Sequence, residues 1–118
     1  MNPLIKNYVA EDATAQYLIA KQGTADHQSL KAGAAAANQL GVVCQPGDVE
    51  IGDRMDITIL GETEVRCAGV IAAGRSFTSD ADGKAVLAST GERATGIVLE
   101  AGAAERIVRC IVTPHTAA

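Results

Sequence analysis

Thirty-four of the 118 residues are Ala or Gly, and only Tyr8, Tyr17 and Phe77 are aromatic. A chain with so few large side chains cannot build a thick core. A domain of this length already buries a modest share of the surface its unfolded chain exposes. We therefore expect contacts between subunits to supply part of its stability. The length suits one domain. With 47% hydrophobic and 20% charged residues, the chain belongs with folded globular proteins rather than with disordered ones.

The apolar residues come in short stretches separated by turn formers. Gln16–Ala20 and Leu40–Cys44 read as short strands, the second stopped by Pro46-Gly47-Asp48. Met55 to Leu60 alternates, Gly61 interrupts it, and Glu64 to Cys67 resumes the alternation, which predicts a hairpin around Gly61-Glu62-Thr63. Val70-Ile71 and Ala85–Ala88 are brief. Thr95–Glu100 and Arg106–Val112 are the clearest strands, rich in β-branched residues, and Pro114 is expected to stop the last. Seven or eight strands at spacings near ten residues predict an all-β protein, a small β-barrel or a β-sandwich. Around residues 30–38, four consecutive alanines favour a short helix and Gly33 weakens it, so a helix or an Ala-rich loop fits there.

The first residues are mixed and aperiodic. They read as an extended N-terminal arm, residues 1–15, ahead of a single β-rich domain, residues 16–118. Leu4, Ile5, Tyr8 and Val9 are too apolar for a tail left in water. They are the candidate interface residues, on an arm expected to be mobile in the free protein and ordered on a partner.

Several function classes are disfavoured. A pI near 5.0 and 14 acidic against 10 basic residues argue against nucleic acid as a partner. No apolar run is long enough for a membrane-crossing helix, and no export signal is visible at the N-terminus. Cys44, Cys67 and Cys110 are odd in number and lie in apolar stretches, so they read as buried free thiols of a protein made in a reducing cytoplasm. A Cys44–His27 nucleophilic dyad is conceivable chemically, but neither residue sits in a motif. Asp80-Ala81-Asp82-Gly83 opens like a calcium loop. The fifth position is Lys84 and the twelfth Gly91, so a plain turn is expected. No motif for a catalytic group, cofactor or metal is present, and none is expected.

The stretch from Val65 to Val112 carries a resemblance. It reads Val65-Arg66-Cys67-Ala68-Gly69, Thr78-Ser79-Asp80-Ala81-Asp82-Gly83-Lys84-Ala85, then Gly91 to Ala101 with Gly96-Ile97-Val98-Leu99-Glu100, and closes with Ile107 to Val112. In order and spacing this is similar to the small capsid decoration, or cement, proteins of tailed bacteriophages. The resemblance implies a compact, usually trimeric, β-rich structural protein. Its partner would be the major capsid protein, on the outer face of the expanded shell. Leu4, Ile5, Tyr8 and Val9 would then contact the capsid or a neighbouring subunit. The alternatives are another virion component, such as a head-fibre base or a tail-tube protein, and a small oligomeric β-barrel enzyme with its site between subunits.

Overall fold

Most of these short apolar runs become strands in the computed structural model, which describes residues 3–33 and 39–117. Among the described residues the chain forms eleven strands and no helix. They are β1 (Leu4–Ala10), β2 (Thr14–Ala15), β3 (Ile19–Gln22), β4 (Gln28–Lys31), β5 (Gln39–Val43), β6 (Asp48–Val49), β7 (Arg54–Arg66), β8 (Ser76–Ser79), β9 (Ala85–Leu87), β10 (Arg93–Val98) and β11 (Ile107–Thr116).

The 13-residue β7 organises the molecule. Up to Leu60 it pairs with β1 on one side and β5 on the other; from Gly61 onward it pairs with β11. The hairpin predicted at Gly61 is therefore corrected. Gly61 has φ of 105°, which is open to glycine and strained for other residues. It bends the strand without reversing it, so the alternation on either side belongs to one strand with two sets of neighbours.

The first half of β7 closes a ring, in the order β1-β4-β3-β5-β7 and back to β1. Only the β1–β4 contact is parallel, so the ring is a mixed five-stranded barrel. The second half of β7 carries an antiparallel sheet, β11-β10-β8-β9. Ala85 of β9 returns to Cys67, just past the end of β7, through a single parallel bridge. The short β2–β6 pair stands apart.

Two apolar clusters fill these layers. Ala10, Ala20, Val43, Val49, Met55 and Ile57 line the barrel, with Tyr8 and Ile59 packed against them. Phe77, Ile71, Val65, Val98, Val108 and Val112 form half of a second cluster under the β11 sheet. Ile19 and Val42 belong to the second cluster, while their chain neighbours Ala20 and Val43 belong to the first. Since successive side chains on a strand point to opposite faces, β3 and β5 are walls shared by both cores. A polar contact joins the halves as well. Buried Gln39 of β5 donates through Nε2 to Thr78 Oγ1 of β8 at 2.9 Å and accepts from Thr95 Oγ1 of β10.

Other expectations need adjustment. Tyr17 has a positive φ of 74° and sits in a turn, so the strand expected from Gln16 begins at Ile19. Val70-Ile71 contributes only the bridge Ile71↔Gly102. Pro114 does not stop β11, which runs to Thr116. Thr95 sits at a register shift, between the pairs Ala94↔His115 and Gly96↔Val112. Proline's missing N–H is tolerated at such a bulge. Leu30 and Lys31, at the start of the expected helix, end strand β4; residues 34–38 lie outside the described residues.

Candidate interaction surface

The expected arm residues fall largely within β1. Leu4–Ala10 is extended, as expected of an arm, but it is hydrogen-bonded within its own chain. Its register with β7 runs from Leu4↔Leu60 to Val9↔Arg54, and Val9 and Ala10 also pair with Gln28 and Ser29 of β4. Tyr8 packs on the barrel core, and Val9 is half-buried. Leu4 and Ile5 stay 48% and 46% exposed, and Leu60, opposite Leu4, is 51% exposed. Three large apolar side chains thus meet water at one end of β1.

β1 outruns its partner β4. The amides of Val9 and Glu11 donate to His27 O and Ser29 O, at 2.7 and 2.8 Å, whereas Ala10 N donates the other way, to Asp53 O. Odd-numbered main-chain groups therefore point towards β4 and even-numbered ones towards β7. Before Val9 the opposing chain turns back, with Gly23 N donating to Gln28 O and His27 at φ 62°. Here a groove of about 600 Å³ opens between Lys6, Asn7 and Tyr8 on one side and Gln22, Asp26 and His27 on the other. Glu11 anchors the turn by accepting from Thr24 N at 2.7 Å and from the Thr24 hydroxyl. Those bonds, the hydroxyl's first, hold its carboxyl below the ordinary range.

A charged cluster marks another surface. Glu105, held at φ 64°, takes Lys84 Nζ at 2.6 Å and Arg66 at 3.4 Å. The Lys84 bond keeps the carboxyl below its usual value and the ammonium above its own. The expected turn is seen beside it, where Asp80 Oδ1 accepts from the amides of Asp82 and Lys84 at 2.8 and 2.9 Å.

The Cys44–His27 pairing is not formed. The Cys44 thiol donates to Asp56 O at 3.4 Å, and His27 lines the groove. Cys67 and Cys110 are buried free thiols, but Cys44 is only half-buried, because it follows the last residue of β5. Among the described residues, no group of three or more His, Cys, Asp or Glu is gathered to hold a metal. His115 Nε2 lies 2.8 Å from Ser76 Oγ, and its Nδ1 lies 2.6 Å from Thr113 O. The carbonyl accepts from Nδ1, so in the neutral ring Nε2 accepts from the serine, and the pair ties β8 to β11 across β10. Nothing local in the sequence signals it, since 39 positions separate the partners.

No family model matches the chain, and no curated protein sequence does. Its structure does match a solved one, the crystal structure of the head fiber gp8.5 N base in bacteriophage phi29. The TM-score is 0.71, and the match covers 95% of this chain and 95% of that one. The two chains share a fold. Identity over the match is 20%, so the likeness is one of fold. The sequence resemblance pointed to decoration proteins; this match is also to a phage head component, but one described as a fibre base.

Proposed function

We propose that this chain is a structural protein of a phage head and serves as a base that attaches to the outer surface of the shell. The observation that carries this reading is the fold match to a head-fibre base over 95% of both chains. The sequence resemblance to capsid decoration proteins points independently to the same surface, but the cementing role it implies is the less supported of the two.

In this reading the major capsid protein is the partner, and the apolar end of β1, with Leu4, Ile5 and Leu60, is the contacting patch. Tyr8 and Val9, further along the same strand, are the remaining candidate interface residues. The protein is synthesised in the bacterial host cytoplasm and ends on the virion exterior. Its many Ala and Gly residues suit close backbone approach between subunits, and a homotrimer is the proposed assembly. Binding that recognises the finished shell and not its free subunits stabilises the shell by RT ln(1 + [L]/Kd) per site.

Quantitative mass spectrometry of purified virions tests the reading. A copy number far below that of the capsid protein is the expected result. Copies in the hundreds would return the cementing role to first place, and absence from virions would favour the enzyme alternative.

A further inference from the structure

We propose that the open edge of β1 is a docking edge for one extended strand of the shell subunit beneath it, added to the barrel by main-chain hydrogen bonding; this rests on the head-surface reading above. The alternation established at Val9, Ala10 and Glu11 continues back along β1 to Ile5, where the register with β7 shifts. It turns the N–H and C=O of Ile5 and Asn7 away from β7, and Asn7 lines the groove. No described residue pairs with β1 on that side before Val9. The chemistry that matches such an edge is another polypeptide backbone in extended form.

The groove says more about the occupant. Its far wall is the turn carrying Asp26 and His27, with Gln22 behind it. That turn stands beside the edge, so the space admits a single segment free of a sheet of its own. A second copy of this chain would present β1 already paired to β7 and would bring its barrel against the turn. The edge from Leu4 to Tyr8 accommodates about five residues at roughly 3.3 Å each. Leu4 and Ile5, on the edge strand itself, are exposed, so apolar side chains on the incoming strand would find cover there. β1 itself carries a single charge, Lys6, which leaves the edge weakly defended against pairing.

The test uses the full chain and empty shells purified from the encoding phage without this protein. Asn7→Pro removes the N–H that faces the groove, at a position on an edge where proline is tolerated. Asn7→Ala removes the same side chain, with its contacts to Asp56 and Arg54, and keeps the N–H. In cosedimentation, Asn7→Ala should bind like the unaltered chain. Asn7→Pro should bind about tenfold more weakly, as the loss of one main-chain hydrogen bond implies. Hydrogen exchange on the unaltered chain is the second measurement: the Ile5 and Asn7 amides should become protected on shells. Equal binding of the two variants, or amides that exchange as fast on shells as off them, would overturn the strand while leaving head attachment standing. If the unaltered chain fails to bind shells at all, the head-surface reading falls and the shell strand falls with it. Concentration-dependent protection of these amides in the free protein would identify a second copy as the occupant, and would overturn the proposal too.

Discussion

Gly96 has no room for a side chain. A Cβ there would lie 2.0 Å from Ile111 O on the neighbouring strand. Gly96→Ala should therefore force β10 from β11 and cost about 3 kcal/mol, at the upper end of overpacking effects, measured by urea denaturation. Gln39 makes a different demand. Its amide satisfies two buried hydroxyls, Thr78 and Thr95, on strands of the other half. Gln39→Leu strands both, and at about 1–3 kcal/mol for each buried group left unpaired the variant should unfold at clearly lower urea. Cys110 gives a pH signature. Burial, reinforced by the neighbouring Cys67, pushes its thiol from 9.0 up to about 12. The folded value is raised, so the stabilising effect is complete below about pH 9 and is lost as pH climbs through about 12. The stability of the native chain should fall more steeply across that window than that of Cys110→Ala. A thiol reagent at neutral pH should label Cys44 first, since it alone of the three is only half-buried.

At the scale of elements, β1 is the strand whose role changed most between sequence and structure. Its residues show no internal periodicity because its partners lie far along the chain, on β7, some fifty positions away. Read alone, such a segment looks like an arm. In the fold it completes the barrel and seats Tyr8 and Ala10 on its core. Deleting residues 1–9 should open the ring and lower the melting temperature by about 10 °C or more, which for a domain of this size corresponds to a few kcal/mol. A melt unchanged by the deletion, followed by circular dichroism, would show that the barrel closes without β1. β7 and β11 teach a related lesson. Gly61 and Pro114 were read as ends because glycine and proline usually punctuate strands. Both lie inside strands here. A bend at Gly61 lets one strand serve two sheets, and a bulge opposite Thr95 absorbs the proline. Local residue chemistry marks where backbone regularity breaks; the choice between turn, bend and bulge belongs to the partners on either side.

Across the whole molecule, the two apolar clusters share β3, β5 and β7 as walls, so they should not melt separately. Ile57→Ala in the barrel core and Val65→Ala in the other each remove buried methyl groups, at about 2–4 kcal/mol. Both should shift one common transition in calorimetry and fluorescence-free probes alike; two resolved transitions would show independent halves. The all-β class was legible from strand-length apolar runs at regular spacing, and so were β5, β10, the Asp80 turn and the buried Cys67 and Cys110, because each rests on contiguous residues with one strong local preference. Runs such as Ile19-Ala20 and Val42-Val43 are apolar on successive positions because each strand faces a core on both sides. The sequence shows that they are buried, though not that two cores exist. The barrel closure, the bend at Gly61, the groove beside Asn7, and the pairing of Gln39 and Ser76 with distant partners were decided only by tertiary structure. Strand pairing is a contest among long-range main-chain partners with nearly equal local claims, and its outcome depends on which arrangement buries both faces of the shared walls at once.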